Sequence, residues 1–360
     1  MIVIFTHSTS WSFDCMRMAS RILVLFILGL LAACYYIFVV ELCMFTVEVL
    51  EAKVTFLVIF HFLYLLCVWC YLRTVITPPA VPPAKFRLSE ADKQLYLSDE
   101  RQEVLQEILI RMAKDLPIHN TQGSRRAYRY CMICQGLKPD RCYHCPVCDI
   151  CVLKLDHHCV FLNNCVGFSN YKFFLLCVLY ALLMCLFTCA VSLYYSILFW
   201  TYRLPNTESK VPIIVLFVLT ALFSLFLFLF FLAHFPLATW NQTARENSDD
   251  NDESNPYDLG CSKNLRQVFG NEKRYWFLPT FSSLGDGSSF PMVRPTINSP
   301  NLPKKPLSHR QGVPNILFSN RLYPVFFMAL HEFRRECGLA AKGVWHGMWS
   351  AEEGHKWHSP

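Results

Sequence analysis

The chain has 360 residues, 54% of them hydrophobic and only 17% charged, with a net charge of +6 and 18 cysteines. Soluble domains carry about 25% charged residues, so disorder, a collagen-like chain and an ordinary soluble enzyme are excluded. The charge is too small and too dispersed to argue for nucleic acid.

The apolar surplus is gathered into four runs, near 21–45, 54–72, 173–200 and 211–239. Each is long enough to cross a hydrocarbon core about 30 Å thick. Arg17 and Arg21 ahead of Leu31-Ala32-Ala33-Cys34 invite a signal-peptide reading, but the run continues well past Cys34, beyond the 7–15 residues of a cleaved segment. It is therefore read as a retained span. Arg17, Arg21, Arg73, Lys85, Arg87, Lys154, Lys172 and Arg245 flank the spans on one side, and Lys53, Arg203 and Lys210 on the other. That bias places the long 73–172 loop and both termini in the cytosol. A four-span channel would want ionisable groups inside the spans; Glu41, His61 and His234 are too few and too peripheral for a relay.

The expected fold class is an all-α polytopic membrane protein, with four transmembrane helices and a cytosolic cysteine-rich domain between helices 2 and 3. The expected divisions are 1–20 (cytosolic), 21–72 (helices 1–2), 73–130 (linker and amphipathic helix), 131–172 (cysteine-rich), 173–239 (helices 3–4), 240–292 (cytosolic) and 293–360 (divergent tail). Residues 77–84 are Pro-rich and stiff. Within 89–116, Val104, Leu105, Ile108, Ile110 and Met112 suggest an apolar helix face. Residues 240–257 are acidic and read as flexible.

Eight of the cysteines lie between Cys131 and Cys165, with His144, His157 and His158 among them. C-x-x-C pairs occur, among them Cys131/Cys134, Cys145/Cys148 and Cys148/Cys151. Such turns present two thiolates to one tetrahedral ion, usually Zn²⁺; disulfides are disfavoured in a cytosolic loop. Two closed sites need eight of the eleven Cys and His. Adjacent residues such as His144 and Cys145 rarely share an ion, so an interleaved arrangement suggests itself: Cys131, Cys134, His144 and Cys151 in one site, Cys145, Cys148, His158 and Cys165 in the other. Spacing alone does not fix which cysteine goes where. Cys142, His157 and Cys159 are left over. Asp156-His157-His158-Cys159 offers a thiol, an imidazole to deprotonate it and a carboxylate to orient that imidazole. On chemistry alone Cys159 is equally a nucleophile or another thiolate ligand.

Here the sequence resembles the DHHC protein S-acyltransferases (palmitoyltransferases). The likeness runs from about residue 21 to 292. It rests on KPDRCYHCPVCDICVLKLDHHC, NNCVGFSNYKFF, the segment Asn264–Gly270, KRYWFLP and FSSLGDG. The resemblance implies that Cys159 accepts the acyl group, with His157 as its base and Asp156 orienting that base. It implies that the two interleaved sets hold structural zinc, and that long-chain acyl-CoA (palmitoyl-CoA) is the donor. Client proteins with membrane-proximal cysteines would be the acceptors, at the surface of a Golgi, endoplasmic reticulum or plasma membrane bilayer. Cys34, Tyr35, Tyr36, Leu183, Met184 and Phe187 are candidates for the acyl cavity, with Cys34 and Met184 near its closed end. Lys138, Arg141 and Lys154 are candidates for CoA phosphates, and Phe161 for a contact beside the nucleophile.

The sequence also departs from the family. Pro-Trp after the motif cysteine is Val160-Phe161 here, which removes a fixed φ beside the nucleophile. Thr-Thr-x-Glu after the fourth span is Thr243-Ala244-Arg245-Glu246, which removes a hydroxyl expected to support the site. These departures keep a catalytically weak or inactive zinc-containing scaffold as the alternative. Cys142 is expected to be a buried free thiol, or else a site of self-acylation. The Asn241-Gln242-Thr243 sequon would go unused in the cytosol.

Overall fold

The computed structural model describes residues 3–98, 102–118, 128–201, 210–248 and 255–293. The tail from 294 to 360 lies outside the described residues, as do 249–254 of the acidic stretch.

Four helices are long and apolar enough to cross a membrane. Helix α1 (Val3–Tyr36) continues as a π-helical stretch over Ile37–Met44, and α2 runs Leu50–Ile76. The others are α5 (Tyr171–Trp200) and α6 (Lys210–Thr239), introduced here ahead of the shorter elements between them. α5 is the most buried of the four and packs along α2 on one side and α6 on the other. Ile22, Leu25, Phe26, Val58, Phe62, Leu65, Leu222 and Leu225 are all more than half exposed. Such a continuous apolar surface suits a hydrocarbon solvent and not water. α1 starts well before Arg21, and its early residues Phe13 and Met16 pack against Cys145 and Val147 of the cysteine-rich domain.

Between α2 and α5 come α3 (Glu90–Ser98) and α4 (Gln102–Ala113). On α4 the buried residues are Ile108, Leu109 and Ala113, while Ile110 is 53% exposed. Ile108 and Met112 thus face inward as expected, and Leu109 does so in place of Ile110. The side chains of Val104 and Leu105 lie outside the described residues.

The cysteine-rich domain is three antiparallel hairpins: β1 (Tyr130–Cys131) with β2 (Gly136–Leu137), β3 (Tyr143–Cys145) with β4 (Ile150–Val152), and β5 (His157–Cys159) with β6 (Asn164–Val166). Sheets this small bury too little to stand alone; bound metal is the usual remedy.

After α6 the chain folds back beneath this domain. The short helix α7 (Ala244–Ser248) is followed by α8 (Cys261–Phe269) and by a loop that reaches Val293. Asn264 is fully buried and donates to Thr239 O at 2.8 Å and to Asp258 Oδ1 at 2.6 Å, which ties α8 to the end of α6. Lys172 is 2% exposed and donates to Tyr275 O, Thr280 O and Ser282 Oγ at 2.6–3.0 Å. Gly287 must be glycine. Its φ is +78°, and a Cβ there would lie 2.6 Å from the Phe168 ring. Residues 240–248 and 255–257, expected to be flexible, are thus built into the fold, and Asn241 of the sequon is 1% exposed.

Candidate active site

The hairpins bring the predicted ligands together as two sets, Cys131, Cys134, His144 and Cys151, and Cys145, Cys148, His158 and Cys165. Register accounts for it. His144 sits opposite Cys151, and His158 opposite Cys165, so each hairpin end supplies a ligand from both strands. The C-x-x-C turns supply the rest. Gln135 and Asp149, each following a second turn cysteine, take positive φ (52° and 57°), and the N–H of Cys134 and of Cys148 points back at the first sulfur at 3.4 Å.

In the first set the sulfurs lie 3.4, 3.5 and 4.0 Å from His144 Nδ1. In the second they lie 3.4, 3.5 and 3.7 Å from His158 Nδ1. Bond lengths of about 2.3 Å to sulfur and 2.0 Å to nitrogen in a tetrahedral zinc site imply edges of about 3.5 Å (S···N). Both sets therefore fit one tetrahedral ion apiece. Asp149 Oδ1 lies 3.6 Å from His144 Nε2, a carboxylate placed as such histidines commonly have it.

Side chains along a strand alternate faces. On β5 this turns His158 to the second metal set while His157 and Cys159 share the other face. His157 Nδ1 hydrogen-bonds Asp156 Oδ2 at 2.7 Å, which leaves Nε2 for the Cys159 thiol. Asp156 is 2% exposed, and its Oδ1 accepts the Ala244 N–H at 2.8 Å. Burial would push the His157 pKa down. The Asp156 hydrogen bond and the facing Cys159 outweigh it and hold it up at about 10. Burial likewise raises the Asp156 carboxyl, and the His157 bond and charge win, leaving it below its ordinary value. Sequence reasoning placed these three residues by type, and the hairpin brings them into line.

The departures from the family pattern are met locally. Tyr71 Oη of α2 donates to Phe161 O at 3.0 Å, and Leu162 N donates to Cys159 O at 3.2 Å. Asn164 Nδ2 donates to Thr74, Val75 and Thr77 carbonyls at the end of α2. The loop after Cys159 is thus pinned without a proline. Thr243-Ala244-Arg245-Glu246 forms a capping box, with Glu246 N to Thr243 Oγ1 at 3.1 Å and Thr243 N to Glu246 Oε2 at 2.9 Å. The box presents the Ala244 backbone N–H to Asp156, so the carboxylate gains a donor that needs no side-chain hydroxyl.

Two of the proposed phosphate contacts are corrected. Arg141 is 1% exposed and makes a two-pronged bond to Glu246 at 2.7 and 2.7 Å, with further bonds to Asn241 Oδ1 and O. Its guanidinium carbon lies 4.6 Å from the Tyr257 ring centroid and 5.1 Å from that of Phe290. Lys154, 6% exposed, donates to Asn241 Oδ1 at 3.0 Å. Both join the cysteine-rich domain to the chain after α6 and are buried against these partners. Lys138 is also buried, at 9% exposed. Burial and the Arg141 charge bring the Lys154 pKa down to about 7, while Glu246 and Asp156 partly offset them.

The candidate acyl residues divide. Met184 is buried in the cluster that contains Cys159, and Cys34, Tyr35, Phe161 and Phe187 pack against it. Tyr36 and Leu183 are 54% and 40% exposed and face outward, which removes them. Tyr35 Oη lies 3.1 Å from His61 Nε2, whose Nδ1 is 2.7 Å from Leu57 O. A cleft of about 300 Å³, lined by Arg21, Val24, Leu25, Val75, Leu162 and Asn163, opens beside the loop that follows Cys159. Cys142 is fully buried.

The family model described as DHHC palmitoyltransferase matches residues 124–251. Palmitoyltransferase ZDHHC2 of Danio rerio is 48% identical over 303 residues, covering 82% of this chain and 84% of that protein. Palmitoyltransferase ZDHHC20 of Homo sapiens is 48% identical over 285 residues, covering 77% and 78%. The chain belongs to the DHHC palmitoyltransferase family. Within that family's matched segment lie both metal sets, the Asp156–Cys159 strand and the capping box that serves it. His234 is the residue that sequence reasoning set aside. It reaches this DHHC strand from α6, 3% exposed, with Nδ1 3.7 Å from Asp156 Oδ2.

Proposed function

We infer that the protein is a protein S-palmitoyltransferase that carries an acyl group on Cys159. The observation that supports this most is the single line of Asp156, His157 and Cys159 above an apolar helix cluster. His157 takes the Cys159 proton. The thiolate sulfur attacks the thioester carbonyl of a long-chain acyl-CoA, the bond to the CoA sulfur breaks, and the CoA thiolate leaves with the proton from His157. In the second step His157 takes the proton of a client cysteine, whose sulfur attacks the acyl-Cys159 carbonyl and frees Cys159. Asp156 stays ionised and steadies the imidazolium that forms in each half-reaction.

Each buried methylene is worth about 0.8 kcal/mol, so an apolar pocket among the helices both binds the chain and selects its length. Tyr71 lies beside the nucleophile, and His61 is ten residues further along α2, about 15 Å at 1.5 Å per residue. Cys34, Tyr35 and Met184 would close the pocket at that depth, with the Tyr35–His61 bond satisfying the polar groups there. The two Cys/His sets would hold structural zinc. That ion is redox-inert and, with four protein ligands, has no open position. The positive flanks support a cytosolic catalytic face and cytosolic termini. The pinned Phe161 carbonyl and the Ala244 N–H argue against an idle scaffold.

The test is incubation of purified protein with labelled palmitoyl-CoA. A hydroxylamine-labile acyl group is expected, and Cys159→Ser should abolish it. Labelling that survives in Cys159→Ser would refute Cys159 as the carrier. Absence of labelling in folded, metal-loaded protein would favour the scaffold.

A further inference from the structure

We propose that His234 is a positioning residue for acyl transfer, a second imidazole N–H donor to the Asp156 carboxylate that holds His157. The proposal rests on the reading of Asp156, His157 and Cys159 given above.

His234 is 3% exposed on the last turns of α6. Its ring lies 5.5 Å from the His157 ring, 5.2 Å from Phe174 and 4.4 Å from Phe230. These contacts hold it against the back of the Asp156–His157 pair. Nδ1 has no hydrogen-bond partner and lies 3.7 Å from Asp156 Oδ2, the oxygen that already takes His157 Nδ1 at 2.7 Å. A buried nitrogen is costly to leave unpaired. An ionisable side chain inside a span marks function by default.

The chemistry gives that nitrogen a use. An ionised carboxylate offers about four acceptor positions, and Asp156 has filled two, with His157 Nδ1 and Ala244 N–H. When His157 holds the proton, Asp156 must stay a carboxylate in a site almost closed to water. A third donor favours that state. Closing from 3.7 Å to the ordinary N–H···O length of about 2.9 Å is a shift of about 0.8 Å, and catalytic hydrogen bonds are often long until substrate binds. The His234 ring also packs beside that of His157. Ala244 contributes only its backbone N–H, so Asp156 has no hydroxyl from that position to take the place of His234.

Two variants separate the donor from the ring. His234→Phe keeps the ring and removes the donor. His234→Asn loses the ring but carries an amide nitrogen near the place of Nδ1. Single-turnover acylation of full-length protein by labelled palmitoyl-CoA is read as a rate constant and a half-saturating concentration. His234→Phe should slow the rate about tenfold or more, the value of a hydrogen bond to a charged group, with half-saturation unchanged. His234→Asn should restore the rate to within about threefold of the native protein. Metal content and melting temperature identify a misfolded variant. A native rate in His234→Phe overturns the proposal. So does an equal loss in both variants, which would mean that a donor near the place of Nδ1 does not restore the rate, or an effect confined to half-saturation, which would mean a substrate contact. If the native chain is not acylated at Cys159, the underlying reading falls first. If it is, and His234→Phe matches it, only this inference falls.

Discussion

Glu246→Gln should unfold the joint between the cysteine-rich domain and the chain after α6. The Arg141 side chain has no exposed surface and that of Glu246 is 17% exposed. Glutamine still satisfies the capping box, so the substitution removes the charge and little else. It leaves a buried guanidinium, held against the Tyr257 and Phe290 rings, without its counter-ion. Removing one partner of a buried pair costs about 3–5 kcal/mol. At about 2–4 °C per kcal/mol, the melting temperature should fall by about 6–20 °C. Removing both charges is often close to neutral, so Arg141→Met with Glu246→Gln should regain at least half of that loss. The double variant should also keep the native half-saturating concentration of palmitoyl-CoA. Thermal unfolding in detergent and an acylation titration read both. A fall below about 2 °C in the single variant would refute the buried-pair reasoning. Weakened acyl-CoA binding in the stable double variant would restore Arg141 as a phosphate ligand.

Metal analysis should find two zinc ions per chain, and Cys134→Ser and Cys148→Ser should each lower the content to about one; a content that stays at two would remove that cysteine from its set. Ala244→Pro deletes the N–H that Asp156 accepts at the first position of a helix, where proline is tolerated. Its melting temperature should stay within about 3 °C while acylation slows about tenfold; an unchanged rate would show that Asp156 does not need this donor. Lys154 is held at about 7 in the folded chain, against an ordinary 10.5. The unfolded chain therefore binds more protons between pH 7 and 10, and this group adds stability as pH rises through that window. His157, held up at about 10 from 6.5, acts oppositely, since its contribution is present below pH 6.5 and lost as pH approaches 10. The difference between the native chain and Lys154→Met isolates the first effect: the melting temperature of the variant should lack that rise, and parallel curves would refute the assignment.

The spans were legible because bilayer thickness imposes a length that few soluble helices reach. The metal sets were legible because hairpin pairing turns a spacing in sequence into a distance. Where a residue's partner is remote, local reading failed. Arg141 and Lys154 look like a solvated basic face beside Lys138, yet Glu246 and Asn241 lie about 100 positions away and bury them. Ala244 looks like a lost hydroxyl because a sequence displays side chains, while the group that Asp156 uses is a backbone N–H. His234 read as peripheral for the same reason. Its importance comes from the crossing of α6 over the strand that carries Asp156, and nothing in its neighbours announces that crossing. On α4 the helix was legible, but its inward stripe was misplaced by one residue, to Ile110 in place of Leu109. That is what happens when a short helix packs on a small module whose position is unknown.

The adjacency of His157, His158 and Cys159 poses a problem that the strand solves. Three groups able to bind metal stand in a row, yet only one should reach the ion if Cys159 is to remain a nucleophile. In a helix or loop nothing would sort them. On β5 they alternate, and pairing of His158 with Cys165 and of Cys159 with Asn164 fixes which faces the metal. A slip of one residue would exchange the faces, turning Cys159 to the metal and His158 toward Asp156. The hairpin is only three residues long on each side, too short to hold its register by pairing alone. Zinc on His158 and Cys165 would lock that register, and Asn164, bonded to three carbonyls at the end of α2, locks it from the other side. A bound metal's contribution to acyl transfer would then be to keep the nucleophile off the metal.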